Sequence, residues 1–299
     1  MPYREDDLRR KRKRRERIPV QPVARGGKKR QRWAINKTGD DAPFDYFYSL
    51  PDSKLLALLI LISIIIVIVL LVVFRAILWP YLDEDTNSTI GTYIGVVGLP
   101  VGVILSFIVA SSWSAFSNAQ VKENEEATKM FALYNLIGEY PVEGAEIQDA
   151  IIIYTEEIIN NEFIIMAEGI QPTLGFDLLT AIGDMIYALD PQDSRESTLY
   201  SQAITLFQEV QSLRIIRMGY VSYGIAPELW WVLILGVVVV IGMTFFLYIE
   251  CFILQAVVTA MVTATLVSLL FLVIAFNFPY RGNFALDATP FQTALQNMM

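Results

Sequence analysis

Histidine is missing from all 299 residues, and cysteine occurs once, as Cys251. Without histidine the usual general base at neutral pH is absent, and no Ser-His or Cys-His nucleophile can be assembled. A lone cysteine excludes an internal disulfide, and with no imidazole to join it a zinc site has no support. Carboxylate or lysine chemistry is left open by these counts, but no motif points to it, so the chain reads as a non-enzyme without a cofactor. Positive charge is also scarce once residue 54 is passed. Residues 1–54 hold 16 Lys/Arg and 8 Asp/Glu, residues 55–299 only 7 and 23, so +8 and −16 sum to the net −8.

What the chain has instead is apolar length. Hydrophobic residues make up 54% of it, too many for an ordinary soluble domain. A helix needs about 20 apolar residues to cross a hydrocarbon core. Residues 55–78 and 90–113 each meet that length, and residues 229–276 carry a single charge, Glu250, over 48 positions. At about 1.5 Å per residue the last block is far too long for one crossing. It reads as two helices joined near residues 248–251, giving four transmembrane helices. The first apolar block begins after residue 50 and has no small-residue cleavage site behind it, so it is not read as a signal peptide.

Four sections follow along the chain. Residues 1–43 form a basic arm whose charge lies in Arg9, Arg10, Lys11, Arg12, Lys13, Arg14 and Arg15, then in Lys28, Lys29 and Arg30. Like charge mixed with Gly and Pro builds no core, so the arm reads as disordered. Alone it resembles a nuclear-localisation or nucleic-acid patch. Ahead of membrane helices the plainer reading is a cytoplasmic flank that meets anionic lipid, with no nucleic-acid partner. Residues 44–117 hold an aromatic interfacial segment (Phe44, Tyr46, Phe47, Tyr48) and the first two spans. The basic flank puts the N-terminus inside. The loop 79–89 then lies outside with the sequon Asn87-Ser88-Thr89, residues 118–226 lie in the cytoplasm, and the C-terminus is inside again. Residues 227–299 carry the last two spans and a tail.

The insert 118–226 holds 17 acidic and 5 basic residues, a net −12. Its apolar positions recur at threes and fours and show no strand alternation. Amphipathic segments are predicted over residues 119–139, 143–168 and 174–189, and from Ser194 towards the membrane. In the second, Ile147, Ile151, Tyr154, Ile158 and Ile165 mark the inner face. In the fourth, Leu199, Ile204, Phe207, Val210, Leu213 and Ile216 do so. Asp190-Pro191-Gln192-Asp193-Ser194-Arg195-Glu196 lacks the spacing of a calcium loop and reads as a turn and helix cap. The fold class is all-α: four spans, with a helical bundle inserted between the second and third.

Several marks occur in a telling order. Arg214 and Arg217 precede the third span, and Pro227 and Trp230 open it. Glu162-Phe163 lies in the insert, and Asn277-Phe278-Pro279-Tyr280-Arg281-Gly282 closes the fourth span. Together they resemble the bestrophin-like family of four-span membrane proteins over roughly residues 55–291. The match departs at Asn277, where the family has an acid, and at Tyr280, where it has phenylalanine. True bestrophins, pentameric anion channels, are a more remote resemblance. Anchoring of span ends accounts for these marks physically: Pro279 stops a helix, Gly282 permits a turn, Arg281 sits at the headgroups, and Arg214 and Arg217 share a face near the same interface. A junction tying the insert to the membrane helices is the functional alternative.

The second span is the most informative. Gly91, Gly95, Gly98, Gly102 and Ser106 recur at threes and fours, Pro100 interrupts the backbone ladder, and Ser111 and its neighbours make the far half polar. Small residues at this spacing serve close helix packing. They also suit a pathway, for which Gly95, Gly98, Pro100, Gly102, Ile104, Ser106 and Ser111 are the lining candidates. The resemblance implies a homo-oligomeric ion channel. A non-conducting scaffold or sensor that binds partners through its insert is the alternative.

Overall fold

No glycine or proline occurs between residues 103 and 137, so nothing in that stretch stops a helix once it has started. The computed structural model describes residues 52–140, 143–282 and 284–299, and in it this stretch belongs to one uninterrupted helix. Helix α1 is Asp52–Leu78 and a 3₁₀ turn, Trp79–Tyr81, follows it. Helix α2 then runs Thr86–Ile137 for 52 residues. That is about 78 Å, more than twice the ~30 Å hydrocarbon thickness. Its apolar part, up to Trp113, crosses; the charged part from Lys122 onward lies outside the apolar layer. The amphipathic segment expected over residues 119–139 is the distal part of this same helix.

The rest is helical too. Helix α3 is Glu143–Glu157, a π-helical turn spans Ile158–Glu162, and α4 is Phe163–Ala167. Helix α5 is Leu174–Tyr187, α6 is Ser194–Val221 and α7 is Pro227–Thr244. Helix α8 is Phe252–Asn277 and α9 is Thr289–Met298. Among the described residues there is no strand. Four helices, α1, α2, α7 and α8, are long and apolar enough to cross a membrane.

Two cores result. In the membrane layer Val67 and Leu71 of α1, Leu105 of α2, Leu233 and Val237 of α7 and Val273 of α8 pack together. Outside it, Met130 and Leu133 of α2, Ile151 of α3, Ile182 of α5, Phe207 of α6 and Phe291 of α9 form a second. Local chemistry sets the ends. Pro227 opens α7 as its first residue, where a missing N–H costs nothing. Asp193 caps α6, its Oδ1 accepting from Glu196 N at 2.7 Å. Glu196 Oε2 in turn accepts from Gln192 N at 2.7 Å.

The π turn changes which residues face inward. A turn with one extra residue rotates everything after it by about 100°. Ile158 is buried as expected, but Met166 rather than Ile165 then takes the core position. Likewise Ile216 on α6 is exposed, and Arg217 beside it is buried.

At the far end of the membrane helices, side chains from α1 and α2 clasp the α7–α8 turn. Arg75 donates to Ile249 O at 2.9 Å, Glu250 O at 2.8 Å and Gln255 Oε1 at 2.7 Å, with its guanidinium 3.7 Å from the Trp79 ring centroid. Asn87 donates to Tyr248 O at 2.7 Å and accepts from Tyr248 N at 2.8 Å. The sequon's amide is thus committed to the turn, and Glu250 itself is exposed at the tip.

Helix α9 was not anticipated from the sequence, yet it closes the bundle. Phe291 is fully buried, and the Tyr134 hydroxyl donates to Met298 O at 2.7 Å. Phe291→Ala is expected to cost about 3–5 kcal/mol, and Ile153→Ala, at an exposed position of α3, no more than about 0.5 kcal/mol. Thermal unfolding midpoints in mild detergent check both.

Candidate functional site

Three helices place charges where their apolar seams call for hydrocarbon. On α2 the buried positions run Ala119, Glu123, Glu126, Met130, Leu133, Ile137, and on α6 Ala203, Phe207, Val210, Arg214, Arg217, Val221. Both alternate fours and threes, the spacing of one helical face. The α3 seam of Ile147, Ile151, Tyr154 and Ile158 ends on Glu162 of the π turn. The charges meet at one level of the bundle.

Arg217 donates from Nε to Glu126 Oε2 at 2.7 Å, and from Nη2 to Glu126 Oε1 and Glu162 Oε2, each at 3.0 Å. Its Nη1 lies 3.3 Å from Met166 Sδ. Arg214 holds Glu162 with Nη2 to Oε1 at 2.6 Å and Nη1 to Oε2 at 3.0 Å, and also donates to the Tyr154 hydroxyl at 3.0 Å. The Tyr154 hydroxyl in turn donates to Glu126 Oε1 at 3.5 Å. Arg214 is 3% exposed, and Arg217, Glu126 and Glu162 are 0% exposed. Aromatic faces fill the remaining sides: Arg217 lies 5.3 Å from the Phe291 centroid and 5.9 Å from that of Phe163.

Burial by itself lowers Arg217, but the charge and hydrogen bonds of Glu126, with Glu162 behind them, hold it well above the ordinary arginine value. Burial raises the Tyr154 hydroxyl, and the Glu126 carboxylate raises it further. Both arginines are therefore permanent cations, locked by bidentate carboxylates. Gly175 allows this closeness: a Cβ there would strike the Glu162 carboxylate and come within 2.8 Å of Arg214 Nη2.

These positions correct the anchoring role expected for Arg214 and Arg217, which are interior to the bundle and not at a headgroup surface. The other marks are placed as follows. Asn277 accepts from Ile225 N at 2.8 Å, tying the end of α8 to the approach to α7. Trp230 is half-buried in the membrane core. Pro279 follows the end of α8, and Gly282 turns the chain at φ 84°. Tyr280 is 2% exposed and meets Phe163 edge-on at 5.9 Å. Arg281 stacks on Phe278 at 4.9 Å and presses on Gly169, whose φ of 78° and lack of a side chain admit it.

The α2 candidates are arranged differently. Gly95, Pro100, Ile104, Ser106 and Ser111 are exposed, and Gly98 and Gly102 are half-exposed. A Cβ added at Gly91, Gly95, Gly98 or Gly102 would meet nothing within 4 Å. Among the described residues the small-residue face therefore packs on no other helix. Where α2 does approach α7 closely, the glycine is Gly236 of α7, facing Val101. Ser106 returns its hydroxyl to Gly102 O at 2.8 Å. The basic residues from Arg9 to Arg30 and the aromatic segment at residues 44–48 lie outside the described residues.

A helical membrane protein with four long apolar helices and an extramembrane bundle locked by buried arginines defines the class. The bestrophin-like domain model matches residues 60–291, and the chain belongs to that family. Among solved structures, a variant of a bacterial bestrophin homologue from Klebsiella pneumoniae aligns with TM-score 0.64 and 12% identity, covering 81% of this chain and 98% of that one. A homologue from the same organism phased with zinc aligns with TM-score 0.61 and 12% identity, over 80% and 97% of the two chains. A further variant described as a membrane protein gives 0.63 at 11% identity, over 80% and 97%. Comparison with curated proteins finds no significant match.

Removing one partner of a buried ion pair costs about 3–5 kcal/mol, whereas replacing the pair by apolar groups is often neutral. Arg217→Met alone is therefore expected to destabilise the protein by that amount. Arg217→Met combined with Glu126→Met leaves Arg214 and Glu162 balanced and should recover most of the loss. Denaturant unfolding of the two single variants and the double variant measures the coupling.

Proposed function

We propose that the protein is an oligomeric ion channel in which α2 lines the pathway with Gly95, Gly98, Pro100, Gly102, Ile104, Ser106 and Ser111. The observation that carries this reading is the glycine face of α2, where an added Cβ would meet no neighbour within 4 Å among the described residues. Small residues in a membrane helix serve close approach of another helix or leave room for a pathway. Four helices scarcely enclose a pore, so the pathway forms between copies. Family membership supports the same reading by analogy, a weaker warrant than geometry. In this reading the bundle and both termini are cytoplasmic, and the basic arm contacts anionic lipid at about 1 kcal/mol per Lys/Arg near the surface.

The ion is a separate matter. Arg75 is the only basic residue in the apolar segments, and the insert carries −12. A path through that field favours cations, whereas the resemblance to bestrophins favours anions. The same acidic surface supports the second reading, a non-conducting scaffold or sensor whose insert binds basic partners.

With Cys251→Ser as background, Gly98→Cys, Ile104→Cys and Ser111→Cys should react with water-soluble thiol reagents and change the current of purified protein in planar bilayers. Native mass spectrometry should show a homo-oligomer. Silence across salts and voltages, with an intact oligomer, would transfer the assignment to the scaffold.

A further inference from the structure

The buried charges do not balance. Arg214 and Arg217 supply two positive charges and Glu126 and Glu162 two negative ones, all paired. Glu123, one turn from Glu126 on the same seam of α2, adds a third carboxyl at 2% exposure. The donors given for Arg217 go to Glu126, Glu162 and Met166, none to Glu123. Its Oε2 is enclosed with no hydrogen-bond partner, and so is the hydroxyl of Tyr280. These two groups sit side by side, Glu123 on α2 and Tyr280 on the segment between α8 and α9.

A buried carboxylate that no arginine hydrogen-bonds, with one oxygen wholly unpartnered, is unfavourable in its charged form. One added proton removes the surplus charge; the phenol already carries an O–H, and a neutral carboxyl can donate to the Tyr280 oxygen as well as accept from it. We propose that Glu123 is a proton-binding site: protonated, it holds the Tyr280 segment and α9 against α2, and on losing its proton it releases them.

The groups facing it pull both ways. Arg217 of α6 and the Tyr280 hydroxyl favour loss of the proton, whereas Glu126 of α2 and Asp287, just before α9, oppose it. Tyr154, Arg214 and Glu162 lie behind Arg217 as a balanced set. Burial first, then the charges of Glu126 and Asp287, raise Glu123 from 4.5 to about 8. The folded protein thus holds the proton more tightly than the unfolded chain does. The resulting stability is full below 4.5, declines as pH rises, and is gone above about 8. Release of the Asp287 end of α9 would let water reach Arg217 and Glu126, which otherwise stay dry.

Hydrogen exchange of the full-length protein in nanodiscs, with intrinsic exchange divided out, tests the site. Peptides from residues 279–299 should exchange about tenfold faster at pH ~9 than at pH ~7, with the transition near 8. Membrane peptides of α7 and α8 should not change. Glu123→Gln, neutral at all pH values and still a donor, should abolish the dependence. Difference infrared spectroscopy of the unsubstituted protein gives a readout independent of any variant's folding. A protonated-carboxyl band should be present at neutral pH, disappear with the same transition, and be missing from Glu123→Gln. Absence of that band in the unsubstituted protein, or an unchanged pH dependence in Glu123→Gln, would overturn the proposal. Neither measurement needs current, so its failure is distinct from failure of the channel reading.

Discussion

Arg217 holds carboxylates from two different elements, Glu126 of α2 and Glu162 of the π turn, and Arg214 shares the second. An apolar seam tolerates sliding by one turn, because leucine meets isoleucine nearly as well as it meets methionine. Two bidentate ion pairs do not. Shifting α6 against α2 by a turn would strand four buried charges, at several kcal/mol for each ion. The cluster therefore acts on register more than on stability, and the positions of the surrounding helices follow from it. The π turn is part of this fit, bringing Glu162, Phe163 and Met166 to the inner side together. Gly175 clears space for α5 to lie against the pair.

Once that register is set, the C-terminal helix is fixed as well. Phe291 of α9 covers one face of the Arg217 guanidinium and meets Phe163 at a centroid distance of 6.2 Å. The C-terminal segment thereby covers the ion pairs. Asn277 does similar work nearer the membrane, joining the α8 exit to the α7 start through one hydrogen bond at Ile225. The residues that end the last span and the residues that build the bundle are one contiguous structure, which explains why Tyr280 lies against Phe163 of the arginines' aromatic cover.

Much of this was legible in the sequence, and the failures are informative. Apolar length located all four membrane helices, Pro227 and Gly282 marked a helix start and a left-handed turn, and Asp193 marked a cap. The arginines were misplaced because charge was read as a surface property. The visible signal was their spacing: Arg214 and Arg217 continue the seam of Ala203, Phe207 and Val210 in steps of three and four, while Ile215 and Ile216 fall outside it. Glu123 and Glu126 do the same on α2. A charge on an apolar seam is a prediction of a buried partner, and two such seams predict each other. The π turn had no such mark, since an added residue per turn leaves composition unchanged. Helix α9 was missed although its buried Phe291, Ala294 and Met298 recur at steps of three and four, because the pattern lasts fewer than three turns.

The buried positions of α2 also bear on how the membrane helices and the bundle can influence one another. Leu105, Ser112, Ala119, Glu126 and Leu133 are all buried and lie seven residues apart. A seven-residue period kept across the membrane boundary means one continuous packing face with no reset of register. Between Gly102 and Gly138 there is neither glycine nor proline to bend it. Glu126 lies 22 positions beyond Ile104, roughly 33 Å along the axis. Rotation of α2 at Ile104 is therefore carried to the charge cluster as rotation, without being absorbed on the way. The compliant point lies on the other side, at Pro100, whose missing N–H removes one rung of the backbone ladder. The helix is soft where its small residues are exposed and stiff from there to the ion pairs.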